Sequence, residues 1–260
     1  MKIVVCIKQV PDTTEIKLDP IKGTLIREGV PSIMNPDDKG GLDIALKIKE
    51  DHGAEVTVIT MGPNQADEIL REAFAMGADH AIHLSDRKFA GADTLATSTA
   101  LAGAIKKLDF DLVVTGRQAI DGDTAQVGPQ IAEHLGIPQI TYVQSLTCEE
   151  GGKLTVRKST EEGYQILEIH TPCMISALTN PANRHYMSVR GIIEAYAREV
   201  EVWGADKIDA DETKLGLKGS PTRVVKSFTK GVKPSGQIYE VSSEEAVEII
   251  IEKLKEKYIV

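Results

Sequence analysis

Aromatic residues are scarce in this chain: four Phe, six Tyr and one Trp among 260 residues. A core must therefore come from aliphatic side chains, and a hydrophobic content of 42% is enough for one large α/β domain or a domain plus an appendage. Cysteine is nearly absent too, with only Cys6, Cys148 and Cys173. An odd, widely spaced set without a C-x-x-C pair or a Cys/His cluster argues against disulfides and structural metal, and it fits a reducing cytoplasm. Basic charge is in deficit. At a formal net charge of −9, the chain has no positive field for nucleic acid or an anionic membrane. No apolar run approaches the ~20 residues of a membrane span. Met1-Lys2-Ile3-Val4-Val5 leads straight into a strand pattern, so no signal peptide is expected. The usual nucleotide fingerprints, G-x-G-x-x-G and G-x-x-x-x-G-K-[ST], are missing, which disfavours ATP or GTP hydrolysis. No Ser or Cys has a nucleophile-elbow setting, and none of the six histidines stands beside a nucleophile.

What is present is alternation. Short apolar runs at Ile3–Ile7, Glu55–Thr60, His80–Leu84, Leu112–Val114 and Gln139–Val143 read as strands. Between them, Asp38–Glu50, Gln65–Met76, Thr94–Lys107 and Ala125–Leu135 carry apolar residues at helical spacing. Continuous Val/Ile strands are buried on both faces, which predicts a doubly wound, mostly parallel α/β sheet covered by helices on both sides. Glu15–Arg27 reads as a surface hairpin, and Leu154–Lys158 with Tyr164–Ile169 as a second. A further strand is expected at Met174–Leu178 and a helix at Ile192–Arg198. The composition becomes polar after Trp203. The expected organisation is a nucleotide-binding domain over 1–203, an extended arm over 204–241 and a C-terminal helix over 242–260 that contacts a partner subunit.

The segment Gly116-Arg117-Gln118-Ala119-Ile120-Asp121-Gly122-Asp123-Thr124-Ala125-Gln126-Val127-Gly128-Pro129 follows a strand and enters a helix. Small residues there leave backbone N–H groups open at the positive end of a helix dipole, a natural seat for phosphate. Asp121 and Asp123 would repel a bare polyphosphate unless they cap the helix or point at ribose hydroxyls. Two other segments fall at strand ends, Cys6 to Asp12 and Met61-Gly62-Pro63, where such sheets bind ligands. Gly62 would allow close approach of an adenine or ribose. Asn35-Pro36-Asp37-Asp38 fits a helix N-cap, an N1 proline and two first-turn carboxylates. A cofactor seat without acid–base machinery favours an electron carrier, in which the cofactor does the chemistry.

These segments, in this order, resemble the beta subunit of electron transfer flavoprotein. The resemblance is carried by Val5 to Asp12, Met34-Asn35-Pro36, Met61-Gly62-Pro63, Ala75 to Asp79, Gln118 to Asp121, and the hairpin residues Val156, Lys158, Glu161, Glu162, Gly163, Gln165 and Leu167, followed by Pro172, Met174, Ile175 and Ser176. It implies a HUP-like fold and a heterodimer with an alpha subunit that carries its own FAD. It also implies nucleotide contacts at Cys6, Asn35, Pro36, Asp37, Asp38, Met61, Gly62 and Asp121, Gly122, Asp123, Thr124, Ala125, Gln126, Val127 and Gly128. The beta subunit holds AMP in conventional members and a second FAD in electron-bifurcating members. Gly122, Thr124 and Ala125 remove bulk and a carboxylate where a diphosphate must pass, so the chain resembles the bifurcating group. For that group the expectation is NADH as donor, ferredoxin or flavodoxin as low-potential acceptor, and an acyl-CoA dehydrogenase as the other partner. The implied docking segment is Arg184 to Arg190, with Tyr186, Met187 and above all Val189 as apolar anchors. Two alternatives stand beside it: a conventional carrier with structural AMP, and a stand-alone ATP-binding regulatory domain.

Overall fold

The computed structural model describes residues 1–12, 31–180, 184–222 and 236–260, and the backbone of 17–18 and 25–26. It divides into two units, Met1–Val224 and Val225–Val260. In the first, strand β1 (Lys2–Cys6) is followed by β2 (Gln9–Pro11), the short β3 (Lys17–Leu18) and β4 (Leu25–Ile26), β5 (Ser32–Met34) and helix α1 (Pro36–His52). Then come β6 (Glu55–Met61), α2 (Asp67–Met76), β7 (His80–Leu84), α3 (Thr94–Ile105), β8 (Leu112–Gly116), α4 (Val127–Leu135) and β9 (Gln139–Cys148). The rest are β10 (Lys153–Thr160), β11 (Gly163–His170), β12 (Cys173–Ala177), α5 (Val189–Ala195), β13 (Glu201–Trp203) and the four-residue α6 (Gly216–Gly219).

Nine strands form one sheet in the order β11-β10-β9-β12-β8-β1-β6-β7-β13. The pairs from β9–β12 across to β7–β13 are parallel, while β9–β10 and β10–β11 are antiparallel. The chain winds outward from β1 through β6 and β7, then crosses back to place β8 on the other side of β1. That is the expected doubly wound sheet. Its two faces separate the apolar residues of each strand. Ile3, Val5, Val56 and Val58 pack with Leu42, Ala45, Leu70 and Ala73 of α1 and α2. Val4, Cys6, Ile59 and Val113 pack with Ala100, Leu101, Ile131 and Ala132 of α3 and α4. Burial on both faces is why these strands read as continuous aliphatic runs.

Several expected elements shift. The second expected hairpin forms as β10 and β11, and β9 runs on to Cys148 to join it to the edge of the main sheet. The helix expected at Ile192–Arg198 starts earlier, at Val189, because the Ser188 hydroxyl caps it by accepting from Gly191 N–H at 2.9 Å. Of the hairpin expected at Glu15–Arg27, Lys17–Leu18 pairs with Leu25–Ile26 and the remainder lies outside the described residues. The first unit continues past Trp203. Ala205, Ile208 and Leu215 are buried in the core on the α3 side, and Asp209 N–H donates to the Gly103 carbonyl at 2.9 Å. Gly103 leaves no room for a Cβ, which would meet the Asp209 carbonyl oxygen at 2.8 Å.

In the second unit, α7 (Ser243–Glu256) opens with a capping box in which Ser242 and Glu245 each bond the other's backbone N–H. Val247, Ile250 and Ile251 recur at helical spacing, and no residue of α7 is buried. Among the described residues no helix is long and apolar enough to cross a membrane.

Candidate functional site

The crevice beyond the carboxyl ends of β1 and β8 is the topological switch point, where a sheet of this kind takes its ligand. A buried carboxylate ties the two strand ends together. Asp38, in the first turn of α1, accepts from Lys8 N–H at 2.8 Å and from Gly116 N–H at 3.0 Å. Burial pushes its carboxyl up to about 7, against the hydrogen bonds from Asn35, Lys8 and Gly116, which favour the ionised form. The backbone of Gly116 passes so close that a Cβ would lie 2.2 Å from Asp38 Oδ1.

Asn35 starts α1 but its side chain does not cap the helix. Fully buried, it reaches across to the loop instead: Nδ2 donates to the Gln118 carbonyl at 2.9 Å and Oδ1 accepts from Ile120 N–H at 3.1 Å. Asp37 lies 3.1 Å from Arg117 Nε and accepts from the Thr179 hydroxyl at 2.9 Å. The small β2–β5 sheet brings these groups to the end of β1, where Asn35 N–H donates to the Lys8 carbonyl at 2.9 Å. The first-turn residues of α1 therefore organise the loop as well as complementing the helix dipole.

Beyond its anchors, the loop turns outward. Both suspect carboxylates have partners: Asp121 pairs with Lys8 Nζ at 2.7 and 2.8 Å, and Asp123 accepts from Gln118 Nε2 at 2.8 Å. Gly122 is exposed, and a Cβ there would meet nothing within 4 Å. Asp123 and Ala125 sit in the left-handed region at φ 51 and 52. Ala125 is followed by Gln126 in the right-handed region, φ −104 and ψ −33. Such a left-then-right pair forms anion-binding concavities from successive N–H groups. Among the described residues, no backbone N–H from Thr124 to Gly128 donates to a protein acceptor. The last two of these groups open α4, adding the helix dipole. Gly128 sits directly over β8, where a Cβ would lie 2.5 Å from the Thr115 hydroxyl oxygen. That oxygen is buried and has no partner. Gln126 is tied to the start of α3, accepting from the Thr94 hydroxyl at 3.0 Å. A row of free donors with its carboxylates held by Lys8 and Gln118 fits a phosphate or diphosphate.

The other expected contacts lie at neighbouring strand ends. Met61 ends β6, and Gly62 is fixed by its N–H to the Leu84 carbonyl at 3.1 Å and by His83 Nε2, 3.0 Å from its own carbonyl. Cys6 ends β1 and points into the α3 side; burial pushes its thiol up, so it stays neutral. Tyr186 and Met187, just before α5, and Val189, its first residue, are elsewhere, and all three are exposed. Sequence reasoning passed over Lys8, Thr94, Thr115, Arg117 and Thr179 as functional groups. Lys8 carries a signal, a lone cation at a strand end facing acidic loop residues; Thr179 carries none, since it meets Asp37 only through the fold. Among the described residues no group of three or more His, Cys, Asp or Glu is placed to hold a metal ion.

Fold and site together define a doubly wound α/β domain whose switch point carries a row of free main-chain N–H groups. The Electron transfer flavoprotein domain family matches residues 22–208. The chain is 56% identical to the electron transfer flavoprotein subunit beta of Clostridium acetobutylicum over 260 residues, covering 100% of both chains. It is 50% identical to the caffeyl-CoA reductase-Etf complex subunit CarD of Acetobacterium woodii and 43% identical to the acryloyl-CoA reductase electron transfer subunit gamma of Anaerotignum propionicum, again covering 100% of each chain. This chain belongs to the electron transfer flavoprotein family, on its beta-subunit side. Full-length likeness to such subunits sets aside the stand-alone regulatory domain.

Proposed function

We propose that this chain is the beta subunit of an electron-bifurcating flavoprotein heterodimer and binds FAD in the crevice between β1 and β8. The observation that supports this most is the run of free N–H groups from Thr124 to Gly128. Beside it, Lys8 and Gln118 draw Asp121 and Asp123 aside. Thr124, Ala125, Gln126, Val127 and Gly128 would hold the diphosphate; Cys6, Met61 and Gly62 would border the adenosine. Asn35, Pro36, Asp37 and Asp38 would shape the pocket from beneath. When bound there, FAD would supply the redox chemistry, both hydride exchange with a nicotinamide donor and one-electron transfer. The chain's own part is to bind, orient and shield it.

One electron would go to ferredoxin or flavodoxin, the other through the alpha-subunit FAD to an acyl-CoA dehydrogenase. The reductase names of two relatives favour a CoA-ester enzyme as partner. Tyr186, Met187 and Val189 would dock it. The unburied apolar face of α7 would lie against the alpha subunit, since a helix needs a partner for such a face. Free, buried Cys6 and Cys173 suit a reducing cytoplasm. The test is anaerobic titration of the purified heterodimer with NADH, followed by flavin absorbance. Bleaching of flavin beyond one FAD per heterodimer supports the reading, and a heterodimer inert to NADH contradicts it.

A further inference from the structure

The segment 184–196 is open on its outer side and held firmly on its inner side. Outward, Tyr186 is 81% exposed and Val189 77%, with Ile193 and Tyr196 beside them along α5. Inward, it is fixed at three points. At its start, Asp43 of α1 accepts from His185 N–H at 2.8 Å and lies 3.3 Å from His185 Nδ1, while Glu50 lies 3.4 Å from Nε2. In its middle, Gly191 leaves no room for a Cβ, which would meet the Ala75 carbonyl oxygen of α2 at 2.6 Å. Beyond its end, Arg71 of α2, paired with Asp67, donates to the Ala195 carbonyl at 3.0 Å and the Arg198 carbonyl at 2.6 Å.

Asp43 is the unusual member of this set. It is only 4% exposed, and burial raises its pKa against the favourable contacts from His185. A buried carboxylate is seldom the most stabilising choice in a helix that packs on a sheet. Among the described residues, the hydrogen bonds of its side chain go to His185, so its effect falls on the surface segment. Helix α5 has seven residues, too few to persist without tertiary support. Fixing a binding segment beforehand lowers the ordering cost of association.

We propose that Asp43 and His185 are positioning residues for docking: the pair sets where the apolar segment begins and presents Tyr186, Met187 and Val189 in one orientation. This rests on the docking role proposed above for those three residues. The partner is an acyl-CoA dehydrogenase with a complementary apolar surface.

The test uses heterodimers carrying Asp43→Ala, His185→Gln or Val189→Asp, beside the unaltered protein. Each is assayed for electron exchange with a purified acyl-CoA dehydrogenase of the same organism, for flavin content, and for amide hydrogen exchange over 184–196. Asp43→Ala and His185→Gln should each raise the KM for the dehydrogenase about tenfold, as loss of a charged hydrogen bond implies, with kcat and flavin content held. Exchange in the segment should quicken in both, and the double variant should do no worse than the worse single one, since the pair acts as a unit. Val189→Asp should raise KM without quickening exchange. An unchanged KM in Val189→Asp overturns the docking reading and this inference with it. A raised KM there, beside unchanged KM and exchange in Asp43→Ala and His185→Gln, overturns this inference alone.

Discussion

The loop 117–126 and the segment 184–196 are both exposed, and acidic or amide side chains at the start or inner side of α1 hold each from beneath. Asn35 holds the first, with Asp38 fixing Gly116 just before it, while Asp43 holds the second. They differ in what they show outward. The loop shows main-chain N–H groups, so Gly122, Thr124 and Ala125 are small at its outer part, and Asp123 and Ala125 adopt left-handed backbone. The segment shows Tyr, Met and Val side chains, and its backbone is turned inward or helical. A surface that binds through its main chain must shed side chains. One that binds through side chains needs only a fixed backbone.

Removing the support of the loop should have the largest effect. Asn35→Ala deletes two hydrogen bonds at a fully buried position and should cost about 2–4 kcal/mol, with loss of bound nucleotide. Thermal melting and nucleotide content check this, and exchange over 184–196 should stay as it was. If both regions loosen together, they are one structural unit and the comparison fails.

A change on the loop's outer side should affect binding but not folding. Gly122→Asp meets open space, so the melting temperature should hold while added charge weakens diphosphate binding by about tenfold, or ~1.4 kcal/mol. Unchanged flavin retention would show that Gly122 does not face the phosphates. A further effect concerns pH. In the folded chain Asp38 keeps its proton up to about 7, whereas an ordinary aspartate releases it near 3.8. Its contribution to stability is therefore full below 3.8, falls as pH rises through this window, and is flat above about 7. Asp38→Asn should make that decline shallower, as melting temperatures between pH 4 and 8 would reveal; an unaltered slope would assign it to other groups.

Much of this was legible in the sequence, for physical reasons. Strands buried on both faces appear as aliphatic runs, so β1, β6, β7 and β8 stand out. The loop was legible because small and left-handed-tolerant residues cluster there. The role of Asn35 was not, because a local cap and a long-range clamp use the same residue beside the same proline. Nor was the continuation of the first unit past Trp203: Ala205, Ile208 and Leu215 are too sparse for a periodic signal, yet each fills a gap over α3. Asp43 carries no signal of its own within α1, because only the fold brings its partner His185 to it.

If the N–H row from Thr124 to Gly128 seats a diphosphate, the nucleotide released from the purified heterodimer will show it. Two FAD and no AMP per heterodimer is the result expected here. One FAD with one AMP would contradict it and make the chain a conventional carrier subunit.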